Sequence, residues 1–217
     1  MPSPAELMMM VPDMLARLVD SGRPWIDHYG LAAVAFGLFC ETLLFSGFIV
    51  PGFGILAAAG YFSAGGALSW WQALLAGVIG AVLGDQASFL LGRFVGLRLL
   101  WRWRGRADGL RRALEGDAVW LLLSYHYSWL LRAILPCTAG GTGFSYRRFA
   151  LLDACGAALW VVAAYAVGWS AHGVLYSRGN LAMLALNLLS LILLVGVSWR
   201  ATVMTRRYTR AAEKSRQ

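Results

Sequence analysis

Lysine is nearly missing from this chain: Lys214 is the only one among 19 basic residues, and the rest are arginine. It stands near the end of the basic tail, so a lysine-dependent lipid phosphatase is not expected. Cysteine is scarce as well. Cys40, Cys137 and Cys155 share no CxxC or Cys/His spacing, which points away from both a disulfide framework and a metal site. All three fall in apolar stretches, where buried, inert thiols are expected. Charged residues make up only 14% of the chain, and no nucleic-acid-binding module is visible, so no nucleic-acid partner is expected. The N-terminal stretch lacks a cationic start, an apolar run and a small-residue cleavage site, so it reads as retained.

What is abundant is apolar surface. The 217 residues are 59% hydrophobic, with a mean hydropathy of +0.61. That composition implies an all-α polytopic membrane protein. A helix crossing the hydrocarbon layer takes about 20 apolar residues. Four stretches qualify: 29–48, 68–92, 149–170 and 180–199. Two more, 46–66 and 119–143, are apolar but carry Pro51, Gly52 and Gly54, and Pro136, Gly140, Gly141 and Gly143, near their middles. Each is expected to break there and return to its own side as a re-entrant helical hairpin, since backbone freed from a helix has no water to bond in lipid. The alternative, six full crossings, leaves those breakers at mid-bilayer.

Arginine placement orients the spans. Residues 93–112 hold seven arginines and the tail from Arg200 holds five, so both segments are expected to face the cytoplasm, with both chain termini on that side. One hairpin then enters from each face, the plan of an inverted repeat whose broken helices meet near the midplane. The chain divides into an amphipathic segment at 1–28, a membrane core at 29–170, and a last helix with a basic tail at 171–217. Glycine-rich faces such as GVIGAVLG suit close helix approach, either within the chain or between copies in a homo-oligomer. Tryptophans near segment ends, Trp70, Trp71, Trp101, Trp103, Trp160, Trp169 and Trp199, suit interfacial belts.

Ionisable groups inside such spans cost a few kcal/mol each, and each asks for a partner and a purpose. Glu41, Asp85, His126 and Arg132 stand in apolar surroundings. Asp153 and Arg93 fall nearer the cytoplasmic side, where snorkelling accounts for them, although Arg93 remains a candidate site residue. Arg132 is expected to face Glu41 or Asp85, and its planar fork of donors suits a phosphate. His126 is either a proton shuttle or a hydrogen-bonded packing residue between two tyrosines. Ser170 and His172 lie two residues apart, about 200° around a helix, which is wrong for a nucleophile and its base, so no enzyme is expected.

Glu41 with Pro51-Gly52, then Gly84-Asp85 with Gly92-Arg93 and Gly96, then Arg132 with Pro136, Ala139-Gly140 and SYRRF at 145–149, and last Gly156 with Trp160, resemble in order and spacing the DedA family of VTT-domain membrane proteins. The resemblance implies facing re-entrant hairpins and movement of lipids between leaflets, undecaprenyl phosphate and phosphatidylethanolamine being the associated substrate types. It also implies roles in transport for Glu41 and Arg132, often with proton coupling. Two positions depart from the pattern. Phe53 stands where an acid is usual and His126 where an arginine is usual, and loss of both opposed charges implies weak or absent proton coupling. Two other readings stay open: a transporter of small cations or other small molecules built on Glu41 and Asp85, and a non-catalytic membrane-homeostasis factor. No cofactor is expected.

Overall fold

The computed structural model describes residues 24, 28–43, 52–95, 114–116 and 118–176, with isolated positions between 185 and 203. The amphipathic segment, Pro51, most of the arginine run, the tail, and nearly all of the 180–199 span lie outside the described residues. Every regular element among those described is helical: α1 (28–42), α2 (Gly52–Ala64), α3 (Trp70–Val95), α4 (118–124), a 3-10 turn (Tyr125–Tyr127), α5 (Trp129–Gly141) and α6 (Tyr146–Tyr176).

Two of these helices, α3 with 26 residues and α6 with 31, are long and apolar enough to cross a membrane. Helices α2 and α5 have 13 residues each, about 20 Å at 1.5 Å per residue, and fall short of a hydrocarbon core of about 30 Å. The exposed face of α3 is apolar, as a lipid-facing helix requires. On α3, Leu75, Ile79, Leu83 and Leu90 point outward, while Ala73, Gly77, Ala81, Gly84, Asp85 and Ser88 are buried. Large apolar side chains meet the hydrocarbon and small or polar ones meet protein, because helices in lipid gain little from hiding leucine and much from close backbone approach.

The glycines show where that approach occurs. A Cβ at Gly80 would overlap the Ala35 carbonyl, and one at Gly84 the Thr42 hydroxyl, so the GVIGAVLG face serves packing of α1 on α3 within the chain. Two further contacts have the same form. A Cβ on Gly168 of α6 would overlap the Ala57 carbonyl of α2, and one on Gly92 of α3 would overlap the Cys137 carbonyl of α5. In return, Gly60 of α2 abuts the Tyr165 carbonyl and the Trp169 amide, while Gly140 of α5 abuts the Phe89 carbonyl and the Arg93 amide. Each short helix thus interlocks with the long helix of the other half of the chain.

The short helices also end alike. Gly66 and Gly143 both adopt φ 79°, which an L side chain adopts only with strain. The Ala67 N–H donates to the Phe62 carbonyl at 2.9 Å and the Phe144 N–H to the Ala139 carbonyl at 3.1 Å, so the same C-cap closes both.

The expected helix breakers behave differently from the sequence reading. Helix α5 runs through Pro136, and Gly54 lies within α2. Proline at this position removes only the bond to the Arg132 carbonyl, and the helix tolerates that loss. The second segment is interrupted earlier, at the 3-10 turn and extended Ser128 (φ −119°, ψ 110°), where a new helix begins. Gly140 and Gly141 occupy the last turn of α5. The thiols also differ from expectation: Cys137 is buried, Cys40 is half-buried and Cys155 is exposed.

Gly92→Ala and Gly168→Ala should each destabilise the folded protein by about 1–3 kcal/mol, because the added methyl meets a backbone carbonyl that no side-chain rotation can clear. Gly54→Ala, at an exposed helical position, should be neutral or stabilising by up to about 1 kcal/mol. Thermal unfolding in detergent, followed by tryptophan fluorescence, checks the contrast.

Candidate functional site

Two apolar cores flank a band of charge. One gathers Phe89, Leu121, Leu122, Tyr125, the inner side chains of α5, and Phe149. The other gathers Val34, Leu38, Leu56, Ala81, Ala157, Trp160 and Val161. Along α3, Asp85 falls between Ala81 of one core and Phe89 of the other. Along α6, Asp153 falls between Phe149 and Ala157. The ionisable side chains meet at this seam.

The first group is Glu41, Arg132 and Trp160. Arg132 stands in the first turns of α5, where its own N–H donates to the Ser128 carbonyl at 2.9 Å. Its Nη1 donates to Glu41 Oε1 at 3.1 Å, and Nη2 lies 3.0 Å from Oε2. The second approach is an ion contact whose angles do not make a hydrogen bond; Nε and Nη2 have no hydrogen-bond acceptor among the described residues. The guanidinium lies over the Trp160 ring, 3.8 Å from its centroid. Both side chains are at least nine-tenths covered, with 6% and 10% exposure. Opposite them sits the start of α2: a Cβ at Gly52 would overlap the Glu41 carboxylate, so the residue after Pro51 has to be glycine for the acid to lie against this helix end.

The second group is Asp85, His126 and Asp153, all fully buried at their side chains. His126 lies between the two acids, with Nδ1 3.8 Å from Asp85 Oδ2 and Nε2 3.4 Å from Asp153 Oδ1. Asp153 accepts from the Tyr125 hydroxyl at 2.5 Å and from the Gln86 amide at 2.7 Å. Asp85 has no hydrogen-bond donor among the described residues at either oxygen. The Trp160 ring adjoins both groups, with its centroid 6.4 Å from that of His126.

The structure therefore brings Glu41, Asp85, His126 and Arg132 to one seam and selects Glu41 as the direct partner of Arg132. Arg93 is not among them. It is exposed, and its Nη1 reaches the Phe144 carbonyl at 3.4 Å at the end of α5. Asp153 is no snorkelling residue but a member of the buried cluster, and Trp160, 4% exposed, is no belt residue but the plate beneath Arg132. Asp153 could have been found by the rule that selected Asp85, a carboxylate inside an apolar run. Trp160 had no such signal, because interfacial and buried tryptophans look the same in one sequence. Ser170 is buried, with its hydroxyl 2.7 Å from the Ala166 carbonyl, and His172 packs edge-on against Tyr61.

Residues 50–170, more than half of the chain, match the VTT domain. The chain belongs to the DedA family of VTT-domain membrane proteins. It is 33% identical over 139 residues to the inner membrane protein YabI of Escherichia coli, an alignment spanning 61% of this chain and 54% of YabI. It is 27% identical over 192 residues to the protein DedA of the same organism, covering 84% of this chain and 85% of DedA. An uncharacterized membrane protein of Mycobacterium leprae is 28% identical over 183 residues, 78% of this chain and 82% of its own length. The chain thus spans about half the length of YabI and most of DedA. No solved structure matches it.

Removing one member of the Glu41–Arg132 pair strands the other charge in a dry setting. Glu41→Gln and Arg132→Met should each destabilise by about 3 kcal/mol or more, and the double replacement should recover much of that loss. A double-mutant cycle on unfolding in detergent measures the coupling; independent, additive effects would contradict this assignment.

Proposed function

We propose that this protein is a lipid transporter, a flippase or scramblase, which moves a phosphate-bearing lipid such as undecaprenyl phosphate or phosphatidylethanolamine between leaflets. The observation that carries this reading is the buried Arg132, near the start of α5, held by a Glu41 carboxylate that also lies against the start of α2. Helix starts carry unpaired N–H groups and positive partial charge, and they favour anions. Glu41 occupies that position in the structure. A headgroup phosphate offers Arg132 a pair of oxygens for the same bidentate contact, and Nε is already without an acceptor among the described residues. Exchange of the carboxylate for a phosphate then couples headgroup binding to separation of α1 from α5.

The architecture supports the same reading. We take α2 and α5 as the inner arms of two re-entrant hairpins that enter from opposite faces, related as an inverted repeat. Their shared length, their shared C-cap and the reciprocal glycine contacts with α6 and α3 favour it. In such a plan, alternating access is a rocking of one half against the other about a fixed midplane site. The chain is multi-pass, with both termini in the cytoplasm, acts without catalysis, and resides in a bacterial inner membrane. Weak or absent proton coupling follows from Phe53 and His126 at positions where the family resemblance leads one to expect an acid and an arginine. A second reading, transport of a small cation or other small molecule, is favoured by the surplus of acid at the seam: Glu41 is matched by Arg132, while Asp85 and Asp153 have only His126 between them among the described residues.

Reconstitution into liposomes separates these readings. The protein should move labelled phosphatidylethanolamine or polyprenyl phosphate faster than protein-free vesicles do, and Arg132→Ala should reduce the rate at least tenfold. Arg132→Lys should restore only part of it, since an ammonium lacks the planar fork. Equal rates with and without protein for both lipids would refute the lipid reading. Unchanged cation uptake in Arg132→Ala would favour the second. An imposed proton gradient should alter the lipid rate little.

A further inference from the structure

The Glu41–Arg132 pair is neutral as a unit, so the acid surplus belongs to the second group. Asp85 and Asp153 have one imidazole between them, and no lysine or arginine side chain pairs with either among the described residues. Buried charges are normally paired or bound to a metal. Asp153 is supplied with two donors, Tyr125 and Gln86. Among the described residues no donor meets either oxygen of Asp85 in hydrogen-bonding geometry, although it is completely buried and Oδ2 is aimed at His126. A fully buried carboxylate with both oxygens unmet calls for a partner, and an ion is one that can serve.

One ligand atom from each of Asp85, His126 and Asp153 lies within 4.8 Å of the others. Donors held about 2.1 Å from a divalent ion lie roughly 3.0–3.5 Å from one another, so the set closes when the His126 ring turns to bring one nitrogen beside both acids. The surroundings are those of an outer shell. Tyr125 and Gln86 donate to the Asp153 oxygens, as groups around a ligating carboxylate do, and fix its orientation.

We propose that Asp85, His126 and Asp153 form a binding site for a divalent transition-metal ion, of the Mn²⁺ or Zn²⁺ class. Two carboxylates and an imidazole suit these ions, whereas Ca²⁺ and Mg²⁺ prefer all-oxygen sets. One dication balances the two acids. The ligands come from α3, the 3-10 turn and α6, so the ion ties together three segments that would have to move relative to one another in any opening of the seam. The site shares no residue with the Glu41–Arg132 pair and does not depend on the transport reading.

Full-length protein, purified in detergent and stripped with chelator, should bind one equivalent of Mn²⁺ or Zn²⁺ per chain in calorimetry and unfold at a higher temperature when loaded. Asp85→Asn, Asp153→Asn and His126→Gln should each weaken binding at least tenfold, whereas His28→Gln and His172→Gln, outside the cluster, should leave it unchanged. The wild-type protein gives a separate readout if the variants do not fold: bound Mn²⁺ should show coupling to a single imidazole nitrogen in pulsed electron paramagnetic resonance. Absence of saturable binding by both ions, loss of the nitrogen coupling in a saturated sample, or full affinity in folded Asp85→Asn would overturn the proposal. No lipid movement enters these measurements, so their outcome is independent of the liposome result.

Discussion

A guanidinium cannot give up its proton, so wherever the chain places Arg132 it must also place an acid. That requirement organises the centre of this protein. Glu41 lies near the end of α1 and Arg132 near the start of α5, 91 residues apart, yet they meet at 3.0–3.1 Å with little solvent contact. The meeting constrains its neighbours in turn. Gly52 has no side chain because the Glu41 carboxylate occupies that space, and Trp160 presents a ring face because the guanidinium needs cover on the side that Glu41 leaves open. The pair acts as a pin through α1, α2, α5 and α6, and whatever breaks it must supply an equivalent anion.

The glycine contacts explain why such a pin can sit between two helices too short to cross a bilayer. Helices α2 and α5 cannot find a hydrophobic driving force in lipid; they are held by backbone proximity to the long helices. Helix α5 is the clearer case, buried from Leu131 through Gly140, so its apolar character serves protein contact rather than lipid contact. The same fact disposes of the apparent conflict between Pro136 and a helix in this region. A buried α5 is fixed from all sides, and one lost backbone bond does not unmake it.

The sequence made a good deal of this legible, and the limits have physical causes. Long apolar runs identified α3 and α6, and the cost of charge in lipid singled out Glu41, Asp85, His126 and Arg132 without any structure. Glycine marked the start of α2 at Gly52 and the cap of α5 at Gly143, but neither glycine nor proline marked the interruption before α5, because the 3-10 turn at Tyr125–Tyr127 carries neither. Distance along the helix axis misled the reading of Asp153, because nearness to a basic segment says nothing about which face of α6 a residue occupies. The grouping of Asp85, His126 and Asp153 was beyond sequence reasoning, since metal-ligand spacing is visible only when the ligands share a segment, and these come from three.

The two departures from the family resemblance take on a different meaning once their positions are known. If Phe53 and His126 were two members of one opposed pair, their joint replacement would leave the site neutral. Phe53, however, is 41% exposed on α2, while His126 is buried between Asp85 and Asp153. They do not compensate one another. A fixed positive charge at position 126 would satisfy both acids permanently, whereas an imidazole can be neutral or charged and can ligate an ion. The seam therefore contains one pair whose positive member is a permanent charge and one group whose basic side chain, among the described residues, is an imidazole, with Trp160 beside both.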